Sequence, residues 1–132
     1  MAHVPQTLTI RRISKEEATR AFAACVGLDP QGKATPEGAA QAGECFEVAG
    51  KGGEVAISVA FRGGVAWIQA AAGGGDQMAG PTLETIERLA RANDCFVIAF
   101  QTMREGLKRV ATRHGYSIVE TIGAGWKLEK QI

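Results

Sequence analysis

The sequence predicts an α/β protein of the mixed α+β type, with a central mixed, mostly antiparallel sheet of about six or seven strands flanked by helices. Two observations support this prediction. Glu54 to Phe61 alternates between large apolar side chains and small or polar ones, as a strand with one buried face does. Cys95 to Phe100 is a continuous apolar run, as expected of a central strand that is covered on both faces and reached by a helical crossover.

The other elements follow from local signals, and the predicted order is β-α-β-β-β-α-β-α-β-β. Ser14 followed by Glu17 forms a capping box, so a helix begins there, and Gly27 is expected to end it. Residues 28–43 predict an irregular connection with a short helical turn at Pro36 to Gln41, either a plain loop or one that contacts substrate. Further strands are predicted at Thr7 to Ile13, Glu44 to Ala49, Val65 to Ala72, Ser117 to Ile122 and Trp126 to Lys130, and a late helix at Met103 to His114.

A glycine-rich loop joins the fourth predicted strand to its helix. Three consecutive glycines, Gly73 to Gly75, are followed by Gly80 and Pro81, and proline is favoured at the first position of a helix. The pattern predicts a helix that begins at Pro81 and ends near Asn93, with free backbone N–H groups at its N-terminus. Such groups, without side chains to block approach, suit a phosphate or another anion. The alternative is a glycine-rich turn from strand to helix that binds no ligand.

Composition predicts one domain, residues 1–132, because 45% apolar and 22% charged residues are ordinary for a globular protein. The net charge of +1 does not favour a nucleic-acid partner. No apolar run approaches the ~20 residues that cross a bilayer, and no signal-peptide hydrophobic region is present, so we expect a cytoplasmic protein without a membrane partner. Cys25, Cys45 and Cys95 are widely spaced and form no close set with the two histidines, so we expect buried thiols and no metal site.

The predicted order, with a phosphate-type loop between the fourth strand and its helix, resembles the GNAT superfamily of acyl-CoA-dependent N-acyltransferases. The family's loop pattern is Q/R-x-x-G-x-G/A, leading directly into a helix. Gln77 and Gly80 match its first and fourth positions, whereas Thr82 departs from its last. The short chain also resembles the minimal, divergent members found in phage-type genomes.

The late helix carries the second part of the resemblance. In the family it is similar to N-x-x-A-x-x-x-Y-x-x-x-G-F/Y, and Gly115 and Tyr116 match its end. Arg104 stands in place of the asparagine, and Ala111 stands in place of the tyrosine that serves as general acid. Because a thiol pKa near ~8.5 makes thiolate a tolerable leaving group, loss of the acid slows transfer without preventing it. Tyr116 is expected to be a core residue.

The resemblance implies acetyl-CoA as co-substrate, bound between the fourth and fifth strands. Ala70 to Ala72 would then offer backbone groups to the pantetheine arm, and Gln77 to Thr82 would hold the pyrophosphate. The cofactor-binding residues implied in this way are Ala70, Ala71, Ala72, Gly74, Gly75, Gln77, Met78, Ala79, Gly80, Thr82 and Arg104.

A catalytic base is harder to assign from the sequence. The resemblance suggests a carboxylate that works through water, and Glu47 and Glu54, on or beside the central strands, are weak candidates. The alternative is that both are solvated strand residues. No other catalytic residue can be named.

The late helix is basic, because Arg104 and Lys108, and Arg109 and Arg113, stand four residues apart beside its apolar stripe. Three interpretations of these charges are open. They form a solvated helix face, or Arg104 contacts the phosphates of coenzyme A, or the helix binds nucleic acid. The third lacks the aromatic residues that usually stand between the basic ones in nucleic-acid-binding segments. The function implied by the resemblance is direct N-acetylation of an unknown amine. The alternative is a catalytically inactive GNAT-fold protein with a binding or structural role, and a homodimer is compatible with either.

Overall fold

A single seven-stranded sheet organises the computed structural model, which describes residues 8–23, 35–74 and 76–132. Its elements in chain order are β1 (Thr9–Arg12), α1 (Lys15–Phe22), α2 (Pro36–Ala42), β2 (Glu44–Gly50), β3 (Gly53–Arg62), β4 (Val65–Gly73), α3 (Asp76–Ala92), β5 (Val97–Thr102), α4 (Glu105–Arg113), β6 (Ser117–Ile122) and β7 (Gly125–Gln131). The strands lie in the order β1-β2-β3-β4-β5-β7-β6, and within the described residues β4 and β5 form the parallel pair. The predicted fold class, a mixed and mostly antiparallel sheet flanked by helices, is confirmed.

Side-chain caps begin the first two helices where the sequence places them. The Ser14 hydroxyl accepts a hydrogen bond from the Glu17 N–H at 3.0 Å at the start of α1. The Thr35 hydroxyl accepts one from the Gly38 N–H at 3.0 Å, and the predicted turn at Pro36 is the short helix α2. The predicted helix end at Gly27 lies outside the described residues.

The alternation along β3 separates a large core from a small one. Val55, Ile57 and Val59 face α3 and α4 and belong to a cluster of large apolar side chains. Ala56 faces α1 and α2, where the cluster consists mostly of alanines. These helices can therefore approach the sheet closely: a Cβ added to Gly43 would lie 2.7 Å from the Ser58 hydroxyl oxygen.

The sheet opens between β4 and β5. The two strands are in register over Val65 to Trp67 and Val97 to Ala99, after which they diverge while β4 continues to Gly73. A bulge on β4 accompanies this divergence: β3 pairs with Ala70 and then with Ile68, which leaves Gln69 as the extra residue. The gap lies at the carboxyl ends of two parallel strands, where open α/β sheets commonly bind ligands.

The start of α3 differs from the sequence prediction. The predicted start at Pro81 is wrong, because the helix begins at Asp76 and Pro81 lies inside it. Pro81 has no N–H to donate to the carbonyl of Gln77, one turn earlier, so local propensity favours a later start. Met78 overrides that preference, since its side chain is fully buried in the large core and holds the first turn there.

The turn from β4 into α3 requires glycine, and this generates a prediction. Gly73 has φ +101°, and an added Cβ would lie 2.6 Å from the Glu54 carbonyl oxygen. Gly73→Ala is therefore expected to lower the free energy of unfolding by about 1–3 kcal/mol, measured by urea denaturation. Gly106→Ala in α4 is the matched control, because nothing lies within 4 Å of its added Cβ and alanine is the better helix former by about 1 kcal/mol. Equal urea denaturation midpoints for the two variants would contradict the requirement for glycine at this left-handed turn.

Candidate ligand-binding site

A cavity of about 430 Å³ lies between α3 and α4, where β4 and β5 diverge. Most of its wall is apolar, and the strands contribute Val55, Ile68 and Phe100. The full set of described lining residues is Val55, Ile68, Ala71, Gly73, Gly74, Met78, Ala79, Thr82, Leu83, Ile86, Phe100, Arg104, Gly106, Leu107, Arg109, Val110 and Arg113. Size and lining are typical of a small-molecule site, with a few polar groups in an apolar cavity.

Three unpaired guanidinium groups line this cavity. Arg104, Arg109 and Arg113 all belong to α4 or its N-cap, and none forms an ion pair with a described carboxylate. Among the aspartate and glutamate side chains that the structure describes, which do not include that of Asp76, none lines the cavity. Arg109 and Arg113 are like charges four residues apart, which destabilises a helix by about 0.2–0.5 kcal/mol. An anionic ligand would relieve that repulsion.

Arg104 also stands at a position that favours other residues. It is the N-cap of α4, and its side chain makes no capping hydrogen bond. Serine, threonine, asparagine or aspartate at this position stabilises a helix by about 0.5–2 kcal/mol relative to residues that cannot cap. The positive charge also opposes the helix dipole at this end. Local stability therefore does not explain an arginine here.

A second polar group in the cavity is left without a partner. Thr82 is 5% exposed, and its hydroxyl oxygen has no hydrogen-bond partner among the described residues. Burying a hydroxyl without a partner costs about 1–3 kcal/mol, so such groups are rare in folded proteins. The cavity thus offers one hydroxyl in its apolar part as well as guanidinium groups along α4.

The turn before α3 brings backbone close to the same cavity. Gly73 and Gly74, with φ of +101° and +67°, line it, and a Cβ on Gly74 would lie 2.8 Å from Val55 Cγ2. The first turn of α3 leaves the N–H groups from Asp76 to Met78 without intrahelical partners. Together with the unpaired arginines and the Thr82 hydroxyl, these features fit a long ligand with anionic and apolar parts.

Six of the residues implied as cofactor-binding line the cavity: Ala71, Gly74, Met78, Ala79, Thr82 and Arg104. The side chains of Ala70 and Ala72 instead pack in the small core under α1 and α2. Gln77 is exposed and is not part of the lining. Gly75 lies outside the described residues.

Gly80, also implied as cofactor-binding, is not among the described lining residues. It lies in the second turn of α3, where an added Cβ would be 2.9 Å from His114 Nε2 at the end of α4. The glycine therefore allows α3 and α4 to approach each other. Glu84, whose charge would oppose an anion, lies 4.0 Å from His114 Nδ1 and does not line the cavity.

The candidate bases lie away from the cavity. Glu47 pairs in register with Ala56, on the face of the sheet that carries α1 and α2, and accepts a hydrogen bond from Arg11 Nε at 3.0 Å. Glu54 is exposed at the start of β3. Neither lines the cavity, and their catalytic role stays a prediction.

Ala111, which stands at the position of the family's acid, and Tyr116, at the end of the same motif, are both buried. Ala111 is fully buried in the large core. Tyr116 is 3% exposed, forms an edge-to-face contact with Phe100 at 5.4 Å and has a hydroxyl without a described partner. Burial, and secondarily the Glu87 carboxylate, raises the pKa of the Tyr116 phenol well above its ordinary value. The expectation that Tyr116 is a core residue is confirmed.

Sequence reasoning named Arg104 and missed Arg109 and Arg113 as cavity residues. Their spacing of four residues was a visible signal, but it indicates one helix face without showing what that face meets. Elsewhere in the described residues, no group of three or more histidine, cysteine, aspartate or glutamate side chains could hold a metal. None of the helices described is long and apolar enough to cross a bilayer.

The architecture is that of GNAT N-acetyltransferases. Aminoglycoside 6'-acetyltransferase type Ii is 10% identical over 93% of this chain and 96% of its own, with a TM-score of 0.66. PaiA N-acetyltransferase from Thermoplasma acidophilum, in complex with coenzyme A, is 12% identical over 96% of this chain and 99% of its own, with a TM-score of 0.65. An acetyltransferase of the GNAT family from Streptococcus pneumoniae is 14% identical over 96% of this chain and 99% of its own, with a TM-score of 0.60.

The sequence itself is divergent within this fold. No family model matches it, and no curated protein matches it. Identities of 10–14% to these three structures, over nearly the full length of each, show a shared fold. The chain is therefore a divergent example of the acyl-CoA N-acyltransferase fold.

The buried phenol gives a prediction for alkaline pH. Tyr116 is the single tyrosine of the chain, so tyrosinate absorbance reports it alone. Because its pKa is raised in the folded state, the unfolded chain loses this proton first; the contribution to stability is complete below about pH 10 and is lost as pH rises further. We expect tyrosinate to form near pH ~10 in denaturant, and in the native protein only together with unfolding. Ionisation near pH 10 without unfolding would show an accessible phenol.

Proposed function

We propose that the chain binds an acyl-CoA thioester, with acetyl-CoA as the expected form, and transfers the acyl group to an amine. The observation that supports this most directly is the row of unpaired arginines beside a buried, unpartnered Thr82 hydroxyl in one cavity. The GNAT fold supports it as well, since one structural neighbour is a complex with coenzyme A.

In this proposal the charged and apolar parts of the cavity bind different parts of coenzyme A. Arg104 and the amides of the Gly74 turn and the first turn of α3 bind the pyrophosphate. The Thr82 hydroxyl bonds to an amide of the pantetheine arm, which fills the apolar part. The backbone of β4 from Ala70 to Ala72 borders the gap along which that arm extends.

The chemistry proposed is direct transfer. The amine nitrogen bonds to the acyl carbon, the carbon–sulfur bond breaks, the amine releases a proton to solvent and the thiolate takes one from water. Among the described lining residues only Thr82 and the three arginines carry side-chain nitrogen or oxygen, so none is suited to accept the proton. The protein then contributes positioning, which alone is worth several orders of magnitude in rate.

Binding is tested by calorimetry with acetyl-CoA. A dissociation constant in the micromolar range, about −8 kcal/mol, is expected. Arg104→Asn should weaken binding about tenfold, because a charge-assisted contact is worth about 1.5 kcal/mol. The same change should raise the free energy of unfolding by about 0.5–1 kcal/mol, since asparagine can cap α4.

The control for this variant is Arg88→Gln, which removes an exposed arginine of α3 that does not line the cavity. Its affinity for acetyl-CoA should equal that of the unaltered protein. A stabilised Arg104→Asn protein that still binds with full affinity would remove Arg104 from the proposed site. Absence of binding by the unaltered protein would overturn the proposed function.

The pH dependence of transfer tests for a protein base. With a panel of amines and thiol release as readout, the rate should rise about tenfold per pH unit until the amine's own pKa, because only the neutral amine attacks. A plateau well below that pKa would indicate a protein base, and loss of the plateau in Glu47→Gln would identify it.

The second candidate function is binding without turnover, favoured by the absence of any described acid or base in the cavity lining. In that case acetyl-CoA binds with the same affinity, and no amine increases thiol release above the rate in buffer.

A further inference from the structure

The arginines of the cavity are spread along the length of α4. With a rise of about 1.5 Å per residue, the backbone positions of Arg104 and Arg113 are about 13 Å apart. Arg104 stands two residues after the end of β5, at the same sheet edge as the Gly73 turn, because β4 and β5 are parallel. One phosphate at that turn is therefore within reach of Arg104.

Arg109 and Arg113 form a separate pair further along the helix. They lie four residues apart and so are neighbours on one face of α4, and both line the cavity. Arg113 immediately precedes His114, whose ring lies against Gly80 in α3. The pair therefore lies towards the end of α4 that packs on α3, away from the end that carries Arg104.

Two adjacent guanidinium groups without a carboxylate partner form a strong site for one dianionic phosphate. When no anion is bound, the repulsion between the two guanidinium groups destabilises α4. Coenzyme A carries a pyrophosphate and, on its ribose, a separate 3'-phosphate. It thus supplies one anionic group for Arg104 at the N-cap of α4 and another for the pair Arg109 and Arg113.

We infer that Arg109 and Arg113 form a second phosphate subsite, which recognises the 3'-phosphate of coenzyme A. This inference rests on the proposed function. It makes the two arginines specificity-determining residues that distinguish coenzyme A from 3'-dephospho-coenzyme A, whereas Arg104 acts on the pyrophosphate that both molecules share.

The test compares coenzyme A with 3'-dephospho-coenzyme A by calorimetry at one salt concentration. The unaltered protein should bind the dephosphorylated form at least about tenfold more weakly, as expected for loss of a charge-assisted contact. Arg109→Gln and Arg113→Gln should lower affinity for coenzyme A to that level and leave the affinity for the dephosphorylated form unchanged. Arg104→Asn should weaken both ligands by the same factor, and Arg88→Gln should weaken neither.

Each contrary outcome has a distinct meaning. Equal binding of both ligands by the unaltered protein overturns the 3'-phosphate subsite and leaves the proposed function intact. Equal weakening of both ligands in Arg109→Gln and Arg113→Gln also overturns it, because the pair would then act on the shared pyrophosphate. If the unaltered protein binds neither ligand, the proposed function itself fails. Arg113→Lys should retain part of the discrimination, because it keeps the charge and loses the two-pronged geometry.

Discussion

The short parallel contact between β4 and β5 is the constraint on which the rest of the structure depends. Only three residues of each strand are in register before the strands part, and the bulge at Gln69 lies where they do so. Beyond that contact the facing edges of both strands border a gap, and α3 and α4, which follow these strands, pack on one side of it. Strand divergence thus creates a cavity that a continuous sheet would fill with hydrogen bonds.

The features that oppose stability are concentrated around this cavity. Within the described residues, the two buried side-chain oxygen atoms without a partner are those of Thr82, which lines it, and Tyr116. The left-handed turn at Gly73 also borders it, and so does the N-terminus of α4, where Arg104 makes no capping hydrogen bond. By contrast, α1 and α2 on the opposite face begin with hydroxyl caps and pack on small side chains. Such a distribution is expected when local stability is given up to bind something else.

The crossing of α3 and α4 determines which charges the cavity receives. Gly80 allows the ring of His114 to lie against α3, which seats the C-terminal end of α4 there. That arrangement brings Arg109 and Arg113 to the cavity wall and leaves Glu84 beside the His114 ring, outside the lining. The positive character of the site therefore arises from helix packing, since the chain as a whole carries a net charge of only +1.

The sequence by itself determined the fold class, the strands and the start of α1, because side-chain periodicity along β3 and the Ser14 cap depend only on near neighbours in the chain. It also placed Thr82 and Arg104 in the stretches that form the cavity. Only the tertiary structure decided where α3 begins, because burial of Met78 outweighs the local preference of Pro81. It likewise decided that Gly80 meets a histidine, and that Ala70 and Ala72 face the small core. These outcomes depend on which elements pack against each other in the fold. Residue spacing within one helix or strand does not indicate which other element it will contact.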